Sequence, residues 1–252
     1  MKVENVVLDK KCNVVLTAYI LDDEGEHAVY RRPAVIVMPG GGYKFCSDQE
    51  GEPVALAFAG AGYHAFVLRY SVGDNFKSGK PIEDYEAAYE NILSHAESWH
   101  IMPDKIAVAG FSAGGHLAAC AATISKHTPQ AAILGYAVTL KGDSERVGMG
   151  KYVPAEHVSA RTCPTFLFAT ATDAVVPVKN TIEYAGRLSE NGVPFECHIY
   201  SQGEHGFSLG TQNFVRYGTG LCPRAGNWLS DCISWLNEIF GVSAVKDPEW
   251  RP

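Results

Sequence analysis

The sequence predicts an α/β fold: a mostly parallel central sheet with helices on both faces. Two observations carry this. The run AVIVM at 34–38 is continuously apolar, as a strand covered on both faces requires. From there on, short apolar runs alternate with segments of helical period, the pattern that right-handed crossovers between parallel strands produce.

The elements follow in order. NVVLTAYIL at 13–21 reads as a strand, and DDEGE at 22–26 as a turn. After AVIVM, EPVALAFAGAG at 52–62 reads as a helix ending at glycine, and YHAFVLRY at 63–70 as a strand. Between Pro81 and His100 the apolar positions Ile82, Tyr85, Ala88, Tyr89, Ile92, Leu93, Ala96 and Trp99 mark one helix face. Pro81 suits the first turn of that helix, and Glu83 and Asp84 suit its positive end. KIAVAGF at 105–111 is a strand, followed by a helix over roughly 113–126. AAILGYAV at 131–138 and TFLFATA at 165–171 are strands. Pro177 to Glu190 is a helix stopped by Asn191-Gly192, FECHIYS at 195–201 a strand, and NWLSDCISWLNEIF at 227–240 a closing amphipathic helix. Residues 1–252 read as one domain, with 139–162 as a candidate small cap and 243–252 as a peripheral tail.

Bulk composition narrows the function. A net charge of −7 and no basic run longer than Arg31-Arg32 argue against nucleic acid or an anionic membrane as partner. No stretch approaches the length of a membrane-spanning helix, and the N-terminus has no uninterrupted apolar segment of the secretory kind. Seven scattered cysteines without a CxxC pair suit reduced thiols in a cytoplasmic protein and no zinc site. An apolar helix face suits a core or an interface between copies equally, which leaves a homo-oligomer open.

Chemistry enters at Gly110-Phe111-Ser112-Ala113-Gly114, a G-x-S-x-G pattern between a predicted strand and a predicted helix. Alone it allows two readings. Ser112 caps the helix, or it is a nucleophile held on a tight turn. A nucleophilic serine needs a base, an orienting acid and N–H donors for the oxyanion. Pro39-Gly40-Gly41-Gly42-Tyr43, directly after AVIVM, offers the donors. By analogy with HGGG loops, Gly41 and Gly42 present their N–H groups beside that of Ala113. Asp173 follows the strand TFLFATA and is the candidate acid; Asp143 and Glu156 are rivals in an irregular segment. His205, in the glycine-flanked GEHGF after FECHIYS, is the candidate base. His116, four residues beyond Ser112, reads as a structural or pocket-side residue. His198 reads as packing within a strand, and His64 stands at the wrong end of one. Tyr43, Cys46 and Tyr70 follow strand ends and are candidate pocket residues. The order Ser112, Asp173, His205 is the nucleophile–acid–histidine order of one architecture.

With PGGGY at 39–43, GFSAGG at 110–115, TDAVVPV at 172–178 and GEHGF at 203–207, the sequence resembles the α/β-hydrolases of the esterase and lipase type. It is most similar to small microbial esterases related to acetylxylan esterases and to the hormone-sensitive-lipase-like group. The resemblance implies a serine carboxylesterase without cofactor or metal, acting on small-molecule or oligosaccharide esters, often acetyl groups on sugars. Two features depart from it. Pro39 stands where HGGG loops carry histidine, so the loop is braced differently. The segment 139–162 is short for a lid, which favours a small acyl pocket over that of an interfacial lipase. Other α/β-hydrolase activities, namely peptidase, lactone hydrolase or lipase, share the same constellation, as does a non-catalytic binding protein. A nicotinamide-binding dehydrogenase does not fit, because no GxGxxG follows a first strand.

Overall fold

A computed structural model describes residues 1–22, 31–211 and 222–241. The expected tail, 243–252, and most of the turn at 22–26 lie outside these. The strands are β1 (Lys2–Asp9), β2 (Val14–Ile20), β3 (Arg32–Met38), β4 (His64–Arg69), β5 (Ile101–Phe111), β6 (Ala131–Gly135), β7 (Thr165–Thr170) and β8 (Phe195–Tyr200). The helices are α1 (Glu52–Gly60), α2 (Lys80–Ser94), α3 (Ala113–Thr123), α4 (Lys141–Arg146), α5 (Lys179–Glu190) and α6 (Trp228–Phe240).

The strands form one eight-stranded sheet in the order β1-β2-β4-β3-β5-β6-β7-β8. The β1–β2 and β2–β4 pairs are antiparallel, and every other pair is parallel. Alternate side chains of the central strands feed two apolar layers. Ala34, Ile36 and Met38 of β3 and Phe66 and Leu68 of β4 pack with Tyr85, Tyr89 and Ile92 of α2, Leu117 of α3 and Tyr184 of α5. Val35, Val37, Ala65 and Val67 face the other way, with Val54 and Phe58 of α1 and Trp228, Trp235 and Leu236 of α6. Covering both faces leaves the strand ends as the place for polar chemistry.

The chain passes from β3 to β4 on one side, then crosses back to place β5 on the other side of β3. This reversal opens a crevice at the carboxyl ends of β3 and β5, the usual ligand position in such sheets. Gly40 to Gly42 follow β3 and Ser112 follows β5, so both candidate elements meet there.

Beside the earlier start of β5 at Ile101 and the helix α4 inside 139–162, three differences from expectation matter. β1 is an edge strand that the sequence did not mark: Val3 and Val7 are exposed and charged residues interrupt its apolar pattern. α2 ends at Ser94, yet Ala96 and Trp99 stay buried in the following turns, so the apolar spacing outlasts the helix. β6 stops at Gly135 because Tyr136 takes φ 35° and turns the chain. The seven cysteines are free thiols. No helix among the described residues is long and apolar enough to cross a membrane.

Candidate active site

Ser112 occupies the turn from β5 into α3 with φ 53° and ψ −117°, a region L-residues rarely adopt. Backbone bonds hold it there. Its N–H donates to the Gly135 carbonyl at 3.0 Å, and its carbonyl accepts the His116 N–H at 2.9 Å. Glycines make this approach sterically feasible. A Cβ on Gly114 would lie 2.0 Å from the Met38 carbonyl oxygen, and one on Gly110 would lie 2.1 Å from that of Gly114. The Ser112 side chain makes no capping bond to α3. Its Oγ instead meets Nε2 of His205 at 2.8 Å.

The other imidazole nitrogen, Nδ1 of His205, lies 2.7 Å from Oδ2 of Asp173. An ionised carboxylate only accepts, so Nδ1 carries the proton and Nε2 is free to accept from the serine hydroxyl. Oδ1 of Asp173 accepts the N–H groups of Val175 and Val176 at 2.8 and 2.9 Å. This fixes the carboxylate on the loop after β7. Asp143 and Glu156 do not enter this row: Asp143 binds Arg146 and the Asn180 amide instead.

The loop after β3 bends around the serine. Gly41 and Gly42 have φ 127° and 61°. A Cβ on Gly41 would fall 2.1 Å from the Phe45 carbonyl oxygen, so only glycine fits this turn. Among the described residues no hydrogen bond uses the N–H of Gly41 or Gly42. Both residues line a cavity of about 300 Å³ together with Ser112 and His205. Ala113 stands at the first position of α3, where an N–H has no partner within the helix. Its N–H and the helix dipole both favour negative charge beside Ser112.

Tyr43, Cys46 and Tyr70 are not among the residues lining that cavity. Their expected pocket role is corrected: Tyr43 and Tyr70 are buried outside the cavity and brace the glycine loop. The Tyr70 hydroxyl donates to the Pro39 carbonyl. The Tyr43 hydroxyl meets Nδ1 of His116 at 2.8 Å. Burial pushes the Cys46 thiol up to about 11. His116 is fully buried, and its Nε2 lies 2.8 Å from the Tyr152 carbonyl. Since a carbonyl accepts, Nε2 carries the proton and Nδ1 accepts from Tyr43. Burial lowers the His116 pKa to about 4, so the ring is neutral. His198 packs on Phe166, and His64 accepts the Leu21 N–H.

Other cavity residues carry no signal in the sequence. Four valines, Val138, Val147, Val175 and Val176, line it, with Ser47, Gln49, Glu50 and Arg146. Arg146 and Val147 come from the segment 139–162, which is tied to α5 through Asn180: its Oδ1 accepts the N–H groups of Thr139 and Leu140. Tyr136 packs its ring edge-on against His205, with centroids 5.0 Å apart. Among the described residues six non-glycine positions have positive φ; four of them, Tyr43, Ser112, Tyr136 and Ser208, surround this site. Strained backbone of this kind concentrates where side chains are held for function.

Comparison with known proteins places the chain. A family model described as BD-FAE matches residues 24–141, and one for the prolyl oligopeptidase family matches 134–219. Endo-1,4-beta-xylanase B of Butyrivibrio fibrisolvens is 31% identical over 235 residues, covering 81% of this chain and 36% of that protein. Acetylxylan esterase of Xylanibacter ruminicola is 30% identical over 236 residues, covering 84% of this chain and 48% of that protein. The chain thus spans less than half the length of these two relatives. Among solved structures, MGS-M1, an alpha/beta hydrolase enzyme from a deep-sea metagenome library, superposes with a TM-score of 0.88 at 36% identity. That match covers 96% of this chain and 99% of the other.

Proposed function

The chain belongs to the α/β-hydrolase family, and on that premise we propose that it is a serine carboxylesterase that removes short acyl groups, acetyl foremost, from carbohydrate. The observation that carries this reading is the hydrogen-bonded row Ser112–His205–Asp173 beside the Gly41-Gly42 loop.

Ser112 Oγ attacks the ester carbonyl as Nε2 of His205 takes its proton. Asp173 holds the imidazole in the required tautomer and stabilises its charged form. The N–H groups of Ala113, Gly41 and Gly42 receive the oxyanion; one such donor is worth roughly 2.7–4 kcal/mol of transition-state stabilisation. His205 then protonates the leaving alcohol. Water, deprotonated by the same imidazole, releases the acid from the acyl-serine.

Support for the substrate class comes from two sides. The cavity of about 300 Å³ is at the small end for ligand sites, and its valines suit a short acyl chain. Ser47, Gln49 and Arg146 offer partners to sugar hydroxyls. A relative named acetylxylan esterase points the same way. The prolyl oligopeptidase match over residues 134–219 favours one alternative, amide cleavage by the same serine.

The test compares acetylated xylo-oligosaccharides, p-nitrophenyl acetate and aminoacyl amides as substrates of the wild type and of Ser112→Ala. Deacetylation that disappears in the variant, with a phosphonate adduct on Ser112 by mass spectrometry, is the expected result. Turnover of amides alone would transfer the chain to the peptidase reading, and an adduct on another residue would end the assignment.

A further inference from the structure

Glu50 is a buried carboxylate, 3% exposed, at the wall of the cavity that holds Ser112 and His205. The steps above do not use it. Its neighbours are donors. The Gly40 N–H donates to Oε2 at 2.8 Å, and the Tyr136 hydroxyl donates to Oε1 at 2.6 Å. An acceptor-only group meets such a set best, so these donors favour the ionised form against burial, which raises the Glu50 pKa.

These contacts join two separate loops. Gly40 leads directly into Gly41 and Gly42. The Tyr136 oxygen, while donating its hydrogen bond to Glu50, accepts the Ser208 N–H at 3.0 Å. Ser208 follows His205 by three residues, and its own hydroxyl donates to the Gln49 carbonyl at 2.6 Å. The Gln49 amide donates to the Gly206 carbonyl, also at 2.6 Å. The three residues Ser208, Gln49 and Gly206 therefore clamp the histidine loop to the segment that carries Glu50. No side chain at Gly40 could share this space, since a Cβ there would lie 2.7 Å from Oε2 of Glu50.

We infer that Glu50 is a positioning residue of the proposed reaction: its carboxylate holds the glycine loop through Gly40 and the His205 loop through Tyr136, and its charge favours the imidazolium that forms during turnover. This rests on the esterase reading above. The ionisable groups facing the carboxylate are Tyr136, Tyr70, Cys46 and His205, and His205 also faces Asp173. None of these except the imidazole is a cation, so removing the negative charge of Glu50 disfavours protonated His205.

The experiment follows phosphonylation of Ser112 and ester turnover against pH in wild type, Glu50→Gln and Tyr136→Phe. In Glu50→Gln the amide N–H₂ must face one of two donors. The expected result is a fall of about 10- to 100-fold in kcat, of the size that small misplacements of catalytic groups produce, with KM little changed. The acid limb of kcat/KM moves to lower pH. Tyr136→Phe cuts the link to Ser208 but keeps the charge, so kcat falls while the acid limb stays in place; this arm decides the matter if Glu50→Gln does not fold. Wild-type rates in Tyr136→Phe, or a slower Glu50→Gln with an unmoved acid limb, overturn the proposal. A wild type that does not react at Ser112 sinks the esterase reading instead. In that event an NMR titration of the His205 ring still decides: a lower midpoint in Glu50→Gln supports the placement of Glu50, and an equal one overturns it.

Discussion

Tyr43 and His116 meet through a single hydrogen bond of 2.8 Å that ties the loop after β3 to the helix after β5. The imidazole passes the connection on to the Tyr152 carbonyl, so three segments far apart in sequence are pinned by one buried ring. This is part of the answer to the missing histidine at position 39. Pro39 is held by Tyr70, Gly40 by Glu50 and Tyr43 by His116.

Tyr43→Phe should therefore cost more than one methyl-sized polar group suggests. It leaves Nδ1 of a fully buried ring with only the weak Cys120 thiol, 3.7 Å away, as donor, a loss of roughly 1–3 kcal/mol. Chemical denaturation checks the stability, and kcat on p-nitrophenyl acetate should fall as the glycine loop loosens. An unchanged unfolding midpoint would show that the bond contributes nothing.

His116 also sets a pH dependence of stability. Its folded pKa, about 4, lies below the ordinary imidazole value, so between about pH 6.5 and 4 the unfolded chain binds a proton that the folded chain does not. Stability attributable to this ring therefore falls as pH drops through that window, by on the order of 3 kcal/mol in all. Replacing the ring in His116→Gln should flatten the dependence by about 1.4 kcal/mol per pH unit, measured by denaturant unfolding at several pH values.

Asp173→Asn separates orientation from folding. Oδ1 can still accept from Val175 and Val176, which leaves Nδ2 facing Nδ1 of His205. Two donors cannot meet, so the imidazole must take the wrong tautomer. The expected outcome is a loss in kcat of about 10⁴-fold at nearly unchanged thermal stability. Activity within tenfold of wild type would count against Asp173 as the orienting acid.

Two glycines should respond to alanine to different degrees. At Gly114 the new Cβ meets the Met38 and Pro39 carbonyls at 2.0 and 2.4 Å, so α3 must move off β3. A destabilisation of about 3 kcal/mol or more is expected. At Gly42 nothing lies within 4 Å of the added atom, and only the left-handed backbone resists. That costs about 1–2 kcal/mol, and thermal melts of the two variants should differ accordingly.

Val176→Ala enlarges the acyl side of the cavity by two methyl groups while its backbone N–H still holds Asp173. The butyrate-to-acetate ratio of kcat/KM should rise several-fold, at about 0.8 kcal/mol per methylene accommodated. A ratio that stays constant would place the acyl chain elsewhere.

Some of this was written in the sequence. Continuous apolar runs and helical spacing announced the layered sheet, because burial on two faces leaves little room for polar residues in the middle of β3 to β7. The glycines at 40–42 and around Ser112 announced close backbone approach. The order Ser112, Asp173, His205 pointed to residues that the folded chain brings within hydrogen-bond reach. Other features had no local signal. β1 is a half-exposed edge, and nothing in DQEGEP distinguishes Glu50 from a solvated acid at a helix start. Tyr43 and Tyr70 looked like pocket residues because they follow strand ends, yet which way a side chain turns there depends on its neighbours.

By itself, then, the amino-acid order determined the layers, the strand ends and the residue types that carry chemistry. These are properties of periodicity and of backbone permission, which are local. The tertiary structure alone decided which buried polar groups face one another: Glu50 with Gly40 and Tyr136, His116 with Tyr43 and Tyr152. Such partners stand from 10 to 86 residues apart, and a buried donor or acceptor is satisfied only by what folding sets beside it.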